Sequence, residues 1–410
     1  MMFAGFDFGT SGARTIVIDP DQRVQFEARV PYAIQEERTW RPALYSLIRQ
    51  IPPTLRQSLQ AIAIDGTSGT FVGCDRSGNI TVPPILYNDP RGRAIPSDCS
   101  SPLLPLASTL AKLVYLQERG EWQSDWYLVH HCDRVAYFLH GLLDVTDWHN
   151  ALKLGYDPEA LAYLPIGADL QLRLPRVVPP GTPLAPILPA VAQELGINPD
   201  CVICSGTTDS NSAFLAAVGY DFQLGTGVTS LGSSLTVKLL SQAPIWDRQY
   251  GIYSHRWQDL WLVGGASNSG GAVLSHFFSP DRIEALSRQI DPAQPLHLNY
   301  YPLLQPGERF PVCDPAWEPR LTPRPDQDHL FLQGLLEGIA AIERLGYDRL
   351  RELGAPPITR LYTLGGGAAN PVWTAIRQRY LDVPLAQPLH REAAYGSALL
   401  AHRSIRRAPE

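Results

Sequence analysis

Short apolar runs separated by clusters of Gly, Thr, Ser and Asp recur along the chain, the rhythm of strands joined by tight turns. The first, MFAGFDFGTSGARTIVID over Met2–Asp19, predicts strands at Phe3–Phe6 and Thr15–Ile18 around a turn of Gly9, Thr10, Ser11 and Gly12. A hairpin closes with about two or three turn residues. The surplus here supplies backbone N–H and hydroxyl donors that suit a group of phosphate oxygens. A plain Gly-rich hairpin with a capping Asp has the same pattern. Asp7 falls at the strand end, an odd place for an acid unless it meets a cation or a substrate hydroxyl. The run LQAIAIDGTSGTFVGCD repeats the theme, with apolar Ala61–Ile64, Asp65 at the tip, then Gly66, Thr67, Ser68, Gly69 and Thr70. Two such tips on adjacent strands would point polar groups into one cleft. Tyr87, Asn88, Asp89 and Arg91 follow another short strand, either lining a polyhydroxylated ligand or forming a loop bonded to itself.

Helical spacing appears at Ser108–Arg119, which Ser108 or Thr109 can cap, and at Asp133–Gly141, where Gly141 is the stop. DWHNALKLGYD, Asp147–Asp157, is a polar turn whose His149 reads as a packed surface histidine. The proline-rich Leu172–Pro189 predicts a stiff, extended connection. CVICSGTTDSNSAFLAAVG then predicts a buried strand ending at Cys204, a turn over Ser205–Thr208 and a helix from Asp209 to Val218. Asp209 thus lies near a helix N-terminus, where the backbone dipole favours an ionised carboxylate. An ordinary N-cap aspartate fits the same spacing.

LGTGVTSLGSSLTVKL, Leu224–Leu239, echoes the opening hairpin: strand, a Gly-Thr-Gly and Ser-rich turn, strand. Such an echo signals duplication of one fold, so domains are expected at 1–219 and 220–410. Trp261–Ser279 reads as strand, glycine turn and helix, with Gly270 and Gly271 where the chain can approach a phosphate closely. A long helix is expected over Asp326–Gly346. Arg360–Asp382 is strand, turn and helix again. There Gly365–Gly367 would let a planar base lie against backbone, with Asn370 and Trp373 at its edge. Ala393–His402 closes the chain as a helix.

Composition narrows the possibilities. A length of 410 residues suggests two or three domains, and 45% hydrophobic with 18% charged residues fits a soluble chain with a sizeable core. The net charge of -6 gives no electrostatic reason to expect nucleic acid or an anionic membrane as partner. No apolar run approaches the roughly 18 residues of a membrane span, and no targeting segment is recognisable, so a cytoplasmic protein is expected. Cys201 and Cys204 form a lone C-x-x-C on a strand, where their side chains face opposite ways. Packing is expected there rather than zinc. The only lysines are Lys112, Lys153 and Lys238.

No Gly-Lys pair exists for a Walker A loop, and the protein-kinase motifs are absent. A Rossmann unit fits poorly, because the opening turn leads into a strand. What remains is an α/β protein whose hairpin turns, from two related domains, face each other across a ligand cleft. That design belongs to the ribonuclease-H-like, actin-like ATPase fold. Within it DFGTSGAR at 7–14, DGTSGT at 65–70, SGTTDS at 205–210, LGTGVTS at 224–230 and LGGGAANPVW at 364–373 together resemble the FGGY carbohydrate kinases nearly end to end.

The resemblance implies ATP and Mg²⁺ as cofactors, and a small-molecule sugar as partner to a monomer or homodimer. Asp7 would help hold Mg²⁺, directly or through water, or a sugar hydroxyl. Gly9, Thr10 and Ser11 would meet the transferred phosphoryl, and Asp209 would be the base. Ser11, Gly12, Arg14, Ser68 and Asp209 would line the sugar site with Asp7. Thr226 and Gly227, with Gly270 nearby, would contact nucleotide phosphates, and Gly366, Gly367, Asn370 and Trp373 would receive adenosine. Asp147–Asp157 and the compact length are similar to the D-ribulose kinase subgroup of cyanobacteria and plants, which favours D-ribulose over D-xylulose as acceptor. A same-fold ATPase or sugar-sensing protein without acceptor phosphorylation is the rival reading.

Overall fold

The computed structural model describes residues 1–32, 35–92, 108–165 and 172–406. The chain divides into two units, Met1–Gly219 with His390–Glu410, and Tyr220–Leu389.

The first unit is built on β1 (Met2–Phe8), whose residues are buried from Phe3 onward. It pairs antiparallel with β2 (Gly12–Ile18), which in turn carries β3 (Val24–Pro31). On its other side β1 runs parallel to β4 (Leu59–Gly66), and the strand Val202–Cys204 lies parallel beyond that. The apolar tips of β1 and β4 therefore end at the same edge, with Asp7 level with Arg14 across one ladder and with Asp65 across the other. Phe6, Phe8, Ile62 and Ile64 pack with Trp40 and Leu44 in the core beneath. Cys201 packs in that core and Cys204 is buried outside it, where burial pushes its thiol up to about 12, as expected of packing residues.

The second unit repeats this order. Its first strand, Thr226–Leu231, pairs antiparallel with Leu235–Ser241 and parallel with Arg360–Leu364. Leu260–Ala266 flanks Leu235–Ser241, and Leu385–Ala386 lies beside Arg360–Leu364. In both units the founding strand is thus flanked by an antiparallel hairpin partner and a parallel strand, the arrangement of a duplicated ribonuclease-H-like α/β domain. The hairpin turn of this second copy is Gly232–Ser234, not the Gly-Thr-Gly at 225–227. Among the described residues no helix is long and apolar enough to cross a membrane.

Two helices differ from expectation. The long helix runs Asp328–Glu352, through Gly346, which gives room to Phe310 rather than ending the helix. The closing helix, Ala393–Arg406, returns to the first unit instead of completing the second. It packs there backbone to backbone: a Cβ on Gly5 would lie 2.0 Å from the Ala394 carbonyl oxygen, and one on Gly396 would lie 1.9 Å from that of Ser212.

Candidate active site

Three acids meet at the carboxyl edge of the first sheet. Asp7 is nearly buried and Asp65 fully so. Burial raises both carboxyls above their ordinary range; Asp65 rises further, because Asp7 lies beside it and Asp209 adds negative potential. Burial and its acidic neighbours therefore favour the protonated form of Asp65, whose Oδ1 is buried without a protein hydrogen-bond partner. The other oxygen accepts from Ser397 Oγ on the closing helix at 2.7 Å. Asp209 follows directly, because the short strand Thr207–Thr208 pairs with β4 at Asp65 and Gly66 and the helix Asp209–Val218 starts at its end.

Around these acids lie the turns. Gly9, Thr10 and Ser11 form the tip between β1 and β2, closed by a 3.0 Å bond from Gly9 N to Gly12 O and braced by Tyr32, whose hydroxyl donates to Gly9 O. Thr10 and Ser11 are exposed there. Arg14 is half-exposed and lies 3.4 Å from Asp7 and 3.3 Å from Glu392. Ser68 sits in the turn after β4, which is locked from below. Thr67 N donates to His131 Nδ1 at 3.2 Å, and burial holds that imidazole neutral by pushing it down to about 3. Lys112, fully buried, donates to Gly69 O, Leu86 O and Tyr87 O at 3.3, 2.6 and 3.3 Å.

His149 is buried rather than at the surface, its Nδ1 2.7 Å from Thr207 Oγ1. Arg91 is spent on Asp89, so that stretch is a loop bonded to itself.

The second unit holds a cavity of about 660 Å³ walled by glycines. Gly232 and Ser233 form one side, tied by their carbonyls to Gly271 N and Ala272 N at 2.8 and 3.1 Å. Gly270 stands behind that turn: its φ of 145° and the 2.6 Å from its would-be Cβ to Ser233 O exclude any side chain. The opposite wall is the turn Gly366–Ala369. Asn370 lines it too, but its side chain is committed to the protein, capping Val372 N and Trp373 N and donating to Ser287 Oγ at 2.9 Å. Trp373 is a floor residue, 2% exposed, with its ring under Gly367.

Thr226 and Gly227 are not brought to this cavity. They are buried at the far start of their strand, Gly227 against Tyr347 and Ile358, roughly 20 Å of extended chain from the turn. The residues missed, Gly232 and Ser233, had a signal: Leu231-Gly232-Ser233-Ser234 matches Phe8-Gly9-Thr10-Ser11 better than the Gly-Thr-Gly does.

Residues 224–405 match the C-terminal domain of the FGGY family of carbohydrate kinases. Similarity to characterised relatives extends across both units. Xylulose kinase of Streptomyces rubiginosus is 26% identical, over 98% of this chain and 87% of the relative. Gluconokinase of Bacillus subtilis is 22% identical, over 92% and 82%. The second unit thus carries the C-terminal domain of the FGGY family of carbohydrate kinases. The chain's fold is that of a xylulose kinase from Brucella ovis, with a TM-score of 0.87 at 22% identity over 100% of this chain and 91% of that one. A Plasmodium falciparum glycerol kinase solved with ADP superposes with a TM-score of 0.82 at 14% identity, over 100% and 90%.

Proposed function

We propose that this FGGY kinase transfers the γ-phosphoryl group of ATP to a ketopentose hydroxyl, converting D-ribulose to D-ribulose 5-phosphate. The observation that carries the reading is Asp209, set by the Thr207–Thr208 pairing beside the Asp7–Asp65 pair and at the start of a helix that stabilises its negative charge. A carboxylate so placed can take the proton of an attacking hydroxyl, and phosphoryl transfer otherwise needs chiefly positioning and charge neutralisation. Arg14 beside Asp7, and Thr10, Ser11, Gly12 and Ser68 in the turns that follow the two acidic strand tips, offer donors that a polyol and a phosphoryl group require.

The oxygen-only donor set of Asp7 and its buried neighbour fits Mg²⁺, which Asp7 would hold directly or through water. When bound, the ion supplies neutralisation of charge on the phosphates. The glycine-walled cavity of the second unit is of a size for a nucleoside. Its turn at Gly232–Ser233 offers phosphates the role first expected of Thr226 and Gly227.

D-ribulose is favoured by the run Asp147–Asp157. D-xylulose is the second reading, supported by two Streptomyces relatives that are xylulose kinases, 26% and 24% identical. Incubation with ATP–Mg²⁺ and a panel of ketoses and polyols decides among them. ADP release stimulated most strongly by D-ribulose is expected; strongest stimulation by D-xylulose favours the second reading, and release indifferent to every acceptor removes both.

The cavity has its own test. A Cβ at Gly366 meets nothing within 4 Å, so Gly366→Val adds bulk to the lining without disturbing the fold. Overpacking of this kind is expected to raise the KM for ATP about tenfold or more. Thermal melting should stay at the wild-type temperature, and unchanged ATP kinetics would mean that the nucleotide binds elsewhere.

A further inference from the structure

Lys153 is, among the described residues, a cation at this edge of the first unit that the protein leaves largely unused. It lies in the turn Leu152–Leu154, and that segment is held from two sides. Asp147 caps its start by accepting from His149 N and Asn150 N, and His149 ties it to Thr207, two residues before Asp209. On the other side the lysine stem rests on Gly69. A Cβ there would stand 3.3 Å from Lys153 Cδ, and the residue's φ of +82° further restricts it to glycine. The room taken by the lysine is therefore room that Gly69 gives up.

The half-buried Lys153 ammonium makes one long bond, 3.4 Å to Ser68 O. Among the described residues no carboxylate forms an ion pair with it. Its neighbour Lys112 differs sharply, being saturated by three carbonyls. Placing a second positive charge beside a buried one is unfavourable, and Lys153 indeed helps to hold the Lys112 ammonium down to about 8 after burial itself. A partly desolvated ammonium with donors to spare calls for oxygens from a ligand. Ser68 is two residues beyond Gly66, the residue level with Thr208, so at most about 7 Å of chain and the roughly 5 Å between paired strands separate Ser68 from the base's strand. A five-carbon acceptor fits within that span.

We propose that Lys153 is a specificity-determining residue that donates hydrogen bonds to the carbonyl and hydroxyl oxygens of the acceptor at the end remote from the hydroxyl that is phosphorylated. This rests on the kinase reading above. It gives the acceptor site polarity: acids and base at one end, an ammonium at the other. An acceptor rich in oxygen at its far end is held in one direction, and a shorter polyol loses that contact.

The test uses the full chain as wild type, Lys153→Met and Lys153→Arg, with D-ribulose and D-xylulose as probes. Loss of a hydrogen bond from a charged donor predicts a roughly 10–100-fold rise in acceptor KM for Lys153→Met. A smaller rise is expected for Lys153→Arg, with the KM for ATP and the melting temperature unchanged. A wild-type acceptor KM in Lys153→Met overturns the proposal, as does a parallel rise in the KM for ATP. Calorimetric titration of the same sugars separates this from the kinase reading. If wild type binds a sugar without phosphorylating it, the kinase reading fails, and weakened binding by Lys153→Met still supports Lys153. Equal binding, or no binding by wild type, overturns it.

Discussion

Asp209→Ala is expected to abolish sugar phosphorylation while leaving nucleotide binding close to wild type. Removing a general base costs on the order of 10²–10⁴ in turnover. The substitution is mild for the fold. Asp209 is half-exposed, and its Oδ1 accepts from its own neighbour, Ser210 N, at 2.6 Å. Its contribution through the helix dipole is worth about 0.3–1 kcal/mol. The cavity proposed for the nucleotide is lined wholly by residues of the second unit, from Leu231 to Trp373, so deleting a carboxylate in the first unit leaves its walls intact. A coupled assay for ADP gives the turnover and titration with ADP gives the binding. Wild-type turnover in the variant would exclude Asp209 as the base. Loss of nucleotide binding alongside turnover would show instead that the substitution acts through the fold.

The first hairpin, the Asp65 tip and the Asp209 helix were legible because each is local: an apolar run, an acid, a cluster of turn residues. The duplication was legible for the same reason, yet its register was not. Leu224–Leu239 contains two glycine clusters, Gly225–Gly227 and Gly232–Ser234, each beside apolar residues, and strand alternation cannot say which one bends. What decides is remote in sequence: Tyr347 and Ile358 close over Gly227, whereas the start of the helix Gly271–Phe277 clamps Gly232 and Ser233.

The closing helix poses the same difficulty. Its amphipathic pattern announces a helix, but it is the close approach of Gly5 to Ala394 and of Gly396 to Ser212 that directs it to the first unit. Asn370 and Trp373 do line the cavity, but as framework: one is spent as a helix cap and the other as floor. Lys153 carries no pattern at all, since its significance lies in what surrounds it.

Arg377→Met is expected to destabilise the second unit by about 3–5 kcal/mol, the cost of stranding one member of a buried ion pair. Arg377 and Glu343 are both fully buried, joined by two bonds of 2.6 and 2.7 Å. Arg377 also donates to Thr363 Oγ1 at 2.9 Å, and Glu343 accepts from the Thr229 hydroxyl, which lies 2.9 Å from Tyr347 OH. The network joins the long helix to both central strands and to the helix Pro371–Leu381, whose first turn carries Trp373. Without the guanidinium, Glu343 must either stay charged in the interior or take up a proton and lose its bonding pattern.

For a unit of this size such a loss lowers the melting temperature by roughly 6–20 °C. Binding of ATP at the proposed cavity should weaken with it, because the displaced helix is a wall of that cavity. Glu343→Leu combined with Arg377→Met removes both charges and should recover much of the stability, since well-packed apolar pairs often match buried ion pairs. Calorimetric melting of the two single variants and the double one measures the coupling. Additive losses would show that the two side chains act independently, and an unchanged melting temperature in Arg377→Met would remove the network from any account of what holds the nucleotide cavity in shape.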